Sequence, residues 1–252
     1  MQPKIALITG GSRGLGRAAA LALADQGVHA ILTYQHRAAD AQVVVEEIKN
    51  RGAKAVALPL DVGSSSSFPT FATQVGEALQ HEWQRDSFDF LVNNAGMGIN
   101  APFTEFTEEQ FDQLYRVHLK GMFFLTQALL PYVAQGGRIL NVSSGLARFT
   151  YPGYGPYAAM KGGVEVLTRY LAKELGSRGI AVNVIAPGAI ETDFGGGHVR
   201  DNRDVNAFLA SQTALGRVGK PEDIGGAVAA LLTGGLGWMT AQRVEVSGGM
   251  FL

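Results

Sequence analysis

Short apolar runs rich in β-branched residues alternate with longer stretches of helical period along this chain of 252 residues. The runs KIALIT (4–9), VHAILTY (28–34), KAVALPL (54–60), FDFLVN (88–93), RILNVS (138–143), IAVNVIA (180–186) and QRVEV (242–246) read as strands. Between them, periodic patterns predict helices over 14–26, 38–51, 66–84, 107–135, 155–177 and 221–233. Several strand runs are apolar nearly throughout, the mark of strands covered on both faces. Repeated β-α-β units predict an α/β fold of Rossmann type. It has one doubly wound, seven-stranded parallel sheet with right-handed crossovers and helices on both faces. No linker, internal repeat or charge run divides the chain, so residues 1–252 are expected to form a single domain. The longest non-periodic stretch, PGAIETDFGGGHVRDNRDVN (187–206), follows a strand end, where ligands bind in open α/β sheets. We expect a substrate lid over 189–206; the alternative is a mobile surface insertion.

Composition narrows the choice of partner. Net charge is −1, so no basic field would hold the protein on nucleic acid or an anionic membrane. A small molecule or another protein is expected instead. There is no cysteine, which excludes disulfides, thiol catalysis and thiolate metal sites, and no metal site is expected. The N-terminal stretch enters a strand directly, without the apolar core and cleavage site of a signal peptide. A cytoplasmic protein is therefore expected.

Chemistry enters at TGGSRGLG (9–16), where the first strand turns into the first helix. Gly10, Gly14 and Gly16 let the backbone approach a pyrophosphate, and the helix N-terminus supplies free N–H groups and a positive dipole end. The spacing is neither Gly-x-Gly-x-x-Gly nor a Walker loop. An acid at the end of the second strand would hold an NAD ribose hydroxyl. Here that end reads Thr33-Tyr34-Gln35-His36-Arg37. Arg37 is placed to meet a 2′-phosphate, Arg13 lies in the glycine turn, and His36 stands beside them, so NADP(H) is preferred over NAD as cofactor.

A second constellation lies in YPGYGPYAAMKGG (151–163), where only Tyr157 has a lysine four places on, Lys161. That spacing places both on one helix face. A tyrosine is protonated at neutral pH and can donate to a carbonyl as it accepts hydride. The lysine charge lowers the tyrosine pKa and stabilises the developing phenolate. A serine can hydrogen-bond the carbonyl oxygen as it gains charge.

Taken in order, these segments resemble the short-chain dehydrogenase/reductase family, and its 3-oxoacyl-thioester reductases most in layout. The resemblance covers nearly the whole chain. It runs through Thr9 to Gly16 (with Ser12, Arg13 and Leu15 inside the turn), Asp61-Val62, NNAG from Asn93 through Ala95 to Gly96, NVSSG (141–145), YAAMK (157–161) and PGAIET from Pro187 and Gly188 through Ile190 to Thr192. It implies that Tyr157 is the catalytic acid, that Lys161 also holds the nicotinamide ribose, and that Asp61 and Val62 meet the adenine. It also selects Ser144 over Ser143, since strand alternation alone says only that one of the two faces the cleft. One departure stands out. Where the family carries a relay asparagine, this chain reads Val117-His118-Leu119-Lys120-Gly121. His118 either holds the relay water or passes the proton itself, titrating near 6.5, or the relay is broken.

The expected activity is reduction of a largely apolar ketone, with Gly96 to Asn100, Ala147 to Tyr154 and the lid around it, including Phe149, Tyr151, Tyr154 and Phe194. Arg148 and Arg200 are candidate contacts for an acyl carrier protein. The rival readings are a non-catalytic NADP-binding scaffold and an NAD-reducing dehydrogenase. The resemblance implies a homotetramer, with a homodimer as the alternative.

Overall fold

The computed structural model describes residues 3–252. Its strands are β1 (Ile5–Ile8), β2 (His29–Tyr34), β3 (Ala55–Pro59), β4 (Phe88–Asn93), β5 (Val133–Val142), β6 (Ala181–Pro187) and β7 (Arg243–Val246). They form one parallel sheet in the order β3-β2-β1-β4-β5-β6-β7. The helices are α1 (Gly14–Ala24), α2 (Ala38–Asn50), α3 (Phe68–Trp83), α4 (Glu108–Tyr115), α5 (Gly121–Leu129), α6 (Gly155–Leu175), α7 (His198–Asp201), α8 (Arg203–Ser211) and α9 (Pro221–Thr233). This is the doubly wound Rossmann arrangement expected from the sequence.

Alternation along the strands sorts the core into two layers. Ala6 and Ile8 of β1 pack with α1, α2 and α9, while Ile5 and Leu7 pack with α3, α5 and α6. Every residue of β1, β4 and β6 is buried, which is why these runs read as apolar nearly throughout. The chain winds outward from β1 to β3, then restarts on the other side at β4. That reversal opens a crevice above the carboxyl ends of β1 and β4, where open α/β sheets bind ligands.

Two elements depart from the sequence expectation. The helix expected over 107–135 stops at Leu129, and β5 already starts at Val133. Pro131 has no N–H to continue the hydrogen-bond ladder, and the chain leaves the helix through a short 3-10 turn, Leu130–Tyr132. The 189–206 segment, expected as a lid, is not irregular throughout. It contains α7 and runs on into α8, whose first turn is capped by the Asn202 carboxamide oxygen accepting from the Asp204 and Val205 amides at 3.1 Å each. Among the described residues no helix is long and apolar enough to cross a membrane.

Candidate active site

A cleft of about 610 Å3 runs along the carboxyl ends of the strands, from the β1–α1 turn to the lid. At its first end, Gly10 and Gly14 hold φ of +66° and +54°, values that strain any residue with a Cβ. Gly16 is a packing glycine. A Cβ there would lie 2.2 Å from the Gly10 carbonyl oxygen. α1 begins at Gly14 with no side-chain cap, so its first N–H groups are available to an anion. Tyr34, His36, Arg37, Asp61 and Val62 line the same end. Arg37 pairs with Asp40 at 3.1 Å. Arg13 pairs with Asp193 of the lid at 2.9 Å, and Asp193 also takes the Arg200 guanidinium.

Most of the expected cofactor residues face this cleft: Gly10, Ser12, Arg13, Gly14, Leu15, Ala95, Gly96, Pro187, Gly188, Ile190 and Thr192 besides those just named. Thr9, Gly16 and Asn93 do not line it; they build it from behind. The Thr9 hydroxyl accepts from the Asn94 and Ala95 amides at 2.9 Å each, tying β1 to the end of β4. The buried Asn93 carboxamide donates to Thr126 Oγ1 (3.0 Å) and Asn141 Oδ1 (2.8 Å), and Asn141 donates on to Thr168 Oγ1 (2.9 Å). This ladder crosses from β4 through β5 to α6. Asn94 of the NNAG stretch and Met97 of the 96–100 stretch line the cleft as well, and so do Arg116, Leu209, Met250 and Phe251, which the resemblance does not single out. Only tertiary packing brings them there.

At the other end, Ser144, Tyr157 and Lys161 converge. Pro156 sits in the first turn of α6, where its missing N–H costs nothing, and Tyr157 and Lys161 follow one turn apart. The two neighbouring serines are separated by their partners. Ser143 also borders the cleft, but its Oγ is buried and donates to Glu165 Oε1 at 2.7 Å. Ser144 lines the cleft together with Tyr157, and its hydroxyl accepts from the Leu146 amide at 3.2 Å. Lys161 Nζ donates to the Val142 carbonyl at 2.7 Å and lies 5.7 Å from the Tyr157 ring centre.

Burial governs the protonation of this group. It pushes the Tyr157 pKa well above its ordinary value, against a partial lowering by the Ser144 hydrogen bond. It pulls Lys161 down to about 7. Desolvation of the phenolate dominates this shift, and Ser144, not Lys161, is the group that opposes it. Tyr157 stays protonated at neutral pH.

His118 lies beneath the tyrosine. The helix from α4 to α5 widens into a single π turn at Arg116–Lys120, a feature frequent at functional sites, and this turn carries the histidine. The two rings meet edge to face with centroids 5.1 Å apart. Gly96 makes room, since a Cβ there would be 2.8 Å from the imidazole. His118 Nε2 lies 2.7 Å from the Met97 carbonyl oxygen and 3.3 Å from the Met97 amide nitrogen; the shorter contact makes Nε2 the protonated nitrogen and Nδ1 the free acceptor. Nδ1 is buried without a partner among the described residues. Burial, followed by the Lys161 charge, lowers the histidine pKa to about 3, so it does not titrate near 6.5. A cavity of about 10 Å3, close to the smallest that holds one water, is lined by Thr9, Asn93, His118 and Lys161.

Aromatic rings enclose the approach to Tyr157. Phe194 of the lid lies 5.6 Å from it and Tyr154 6.4 Å, with Tyr151 6.2 Å beyond. Arg148 and Arg200, considered for an acyl carrier protein, are both engaged. Arg148 pairs with Glu245 at 2.7 Å, and Arg200 with Asp193 and Asp201.

Residues 10–251 match the family model described as enoyl-(acyl carrier protein) reductase. The chain is 37% identical over 254 residues to the short-chain dehydrogenase/reductase FrzI of a Cladobotryum species, covering 98% of this chain and 95% of that one. It is 36% identical over 257 residues to the tetrahydroxynaphthalene reductase PfmaG of Pestalotiopsis fici, covering 98% and 91%. Among solved structures, the angucycline C-6 ketoreductase LanV with bound NADP superposes with a TM-score of 0.93 at 33% identity, covering 98% and 95%.

Proposed function

This chain belongs to the short-chain dehydrogenase/reductase family, and on that footing we propose that it is an NADP-dependent oxidoreductase reducing a largely apolar ketone to a secondary alcohol. One observation carries the reading: Ser144, Tyr157 and Lys161 meet at the opposite end of the cleft from the uncapped N-terminus of α1. The cofactor end suits NADP. The glycine turn leaves room for a diphosphate, no acid stands at the end of β2, and the Arg13 and Arg37 guanidinium groups line the cleft. Each is held only by exposed ion pairs, which a dianionic phosphate outcompetes. LanV, solved with NADP, supports this choice.

When bound, the dinucleotide supplies the hydride. The chain's own residues supply the rest. The Ser144 hydroxyl donates a hydrogen bond to the carbonyl oxygen as charge develops there, and the Tyr157 hydroxyl transfers its proton to the same oxygen. Protonated Lys161 stabilises the phenolate left behind. His118 stays neutral, fixed by Met97, and its Nδ1 accepts from a water that links it to Lys161. Phe194 closes the lid over the ring of Tyr157 and excludes solvent.

The relatives' substrates and the aromatic shell favour a ring-bearing ketone over a 3-oxoacyl thioester, and the engagement of Arg148 and Arg200 points the same way. We further propose a homotetramer in the cytoplasm. Exposed Phe111, Phe123, Phe124, Val166 and Tyr170 leave apolar surface on α4, α5 and α6 to be covered.

The test is NADPH oxidation, followed by absorbance, against aryl ketones, diketones, acetoacetyl thioesters and sugars, with NADH in parallel. NADPH turnover at least about tenfold more efficient than NADH, strongest with aryl ketones, is expected, since each lost phosphate hydrogen bond is worth about 1.4 kcal/mol or more. NADPH binding without turnover of any carbonyl would overturn the reading. For His118, replacement by Ala is expected to lower kcat about tenfold without adding or removing a pH break near 6.5. Asn at that position restores most of the rate. An unchanged rate and pH profile in the Ala variant would remove His118 from the relay.

A further inference from the structure

The C-terminal turn holds a conformation its sequence disfavours. Gly248 and Gly249 adopt positive φ freely, but Phe251 follows with φ of +51°, the left-handed region that penalises a bulky side chain. Such strain persists where the surroundings over-determine it, and it gathers at ligand-binding sites.

The surroundings here are specific. The Phe251 amide donates to the Gln212 carbonyl at 2.9 Å, and the Met250 amide to Ser247 Oγ at 3.4 Å. The Met250 carbonyl accepts from Arg148 Nη2 at 3.0 Å. Arg148 grips Glu245 with Nε and Nη2 at 2.7 Å each, a bidentate pair. Glu245 also accepts from Ser247 Oγ (2.7 Å) and Arg243 Nη1 (2.8 Å). Glu245 is thus the node that joins the loop after Ser144 to the C-terminal turn. The Arg148 bond, the largest influence on it, helps hold the Glu245 carboxyl down to about 2, so the clamp stays charged at neutral pH.

The clamp ends at two rings. Phe149, the neighbour of Arg148, lies on Gly145 beside Ser144; a Cβ on that glycine would be 2.6 Å from the ring. Phe251 meets Phe149 with centroids 4.9 Å apart and planes tilted by 55°. Both line the cleft, and Met250 and Leu209 back them.

We propose that Glu245, through Arg148, clamps the C-terminal turn so that Phe251 stands beside Phe149 as the substrate-facing wall, fitting the site to flat fused-ring ketones. Glu245 is a positioning residue and Phe251 the specificity-determining one. A fused-ring ketone reaches this wall from the carbonyl site at Ser144, whereas a single ring gains little from it. The inference rests on the ketone-reducing reading.

The experiment compares kcat/KM for 2-tetralone and cyclohexanone, and titrates 2-naphthol by calorimetry, in the wild-type protein and in Phe251→Ala, Phe251→Tyr and Glu245→Gln. NADPH fluorescence titration confirms that each variant is folded. The tetralone-to-cyclohexanone ratio and the naphthol affinity are expected to fall about tenfold in Phe251→Ala, as for loss of a ring from a packed wall. Glu245→Gln follows in the same direction by about threefold, because the charged grip on Arg148 weakens. Phe251→Tyr, which keeps the ring, retains most of both. An unchanged ratio and unchanged naphthol affinity in Phe251→Ala and Glu245→Gln would overturn the inference. If the wild-type protein turns over neither ketone, the naphthol titrations still decide the inference, and the missing turnover counts against the ketone-reducing reading alone.

Discussion

Replacing Tyr157 by Phe is expected to lower kcat for ketone reduction about a thousandfold, within the range for removing a general acid. NADPH affinity is expected to stay within about twofold, because the ring remains and only the hydroxyl is lost. His118 has its protonated Nε2 committed to Met97 and a pKa near 3. Ser143 points to Glu165. Ser144 can hydrogen-bond a carbonyl oxygen, yet it has no acidity to spare at neutral pH. Lys161, lowered to about 7, has its Nζ donating to the Val142 carbonyl, so the proposed mechanism assigns the proton to the Tyr157 hydroxyl, which burial keeps protonated. The same burial makes the reverse reaction alkaline. Alcohol oxidation requires the phenolate, whose pKa burial holds above the ordinary value of about 10, so its rate is expected to keep rising with pH past that value, and steady-state assays in both directions check this. A Phe variant retaining more than about a tenth of the rate would put the proton on another group.

The second large effect sets activity against stability. Lys161→Met is expected to reduce kcat about a hundredfold, by removing the charge that stabilises the phenolate. It is also expected to make the protein more stable below pH 7. Burial lowers the Lys161 pKa from 10.5 to about 7. Between these values the unfolded chain carries a proton that the folded chain lacks. Wild-type stability therefore rises with pH across that window, and the full cost of burying the charge is felt below pH 7. Methionine fills similar space and carries no charge. Against this gain stands the Val142 carbonyl, which loses the Lys161 bond. The net stabilisation is expected to be on the order of 2 kcal/mol at pH 6. Urea unfolding of both proteins at pH 6 and pH 9 checks it: the wild-type midpoint rises with pH and the variant's does not. Equal pH slopes would mean that Lys161 keeps an ordinary pKa in the folded protein.

What could be read ahead of the structure follows from how local each signal is. The strands and the order of β-α-β units were legible because burial on both faces writes continuous apolar runs, as in β1, β4 and β6. Tyr157 and Lys161 were legible because their partnership is one helical turn long. The end of α5 was misplaced because apolar residues continue through Leu130-Pro131-Tyr132-Val133, and only the proline marks the break. α8 was hidden in a polar stretch, since its stability comes from the Asn202 cap and from Leu209 packing on Val218 and Met250. Thr9, Gly16 and Asn93 belong to the cofactor end by position. A motif cannot say which of its residues face the ligand and which brace the wall, and here the Asn93–Asn141–Thr168 ladder decides it. The protonation of His118 was equally out of reach, because it depends on burial and on the nearness of Lys161. Phe251 lines the cleft beside Phe149 through long-range contacts no local pattern carries, among them the Gln212 carbonyl that takes its amide and the Arg148–Glu245 pair 97 residues apart in sequence.

The most direct measurement follows the hydrogen itself. NADPH carrying deuterium at both C4 positions of the nicotinamide is incubated with 2-tetralone and the protein, and the product alcohol is examined by mass spectrometry and NMR. Deuterium at the carbinol carbon, abolished with the rate in Tyr157→Phe, is the predicted result. NADPH that binds but leaves the ketone unreduced, or an alcohol without label, would contradict hydride transfer to a carbonyl at this site.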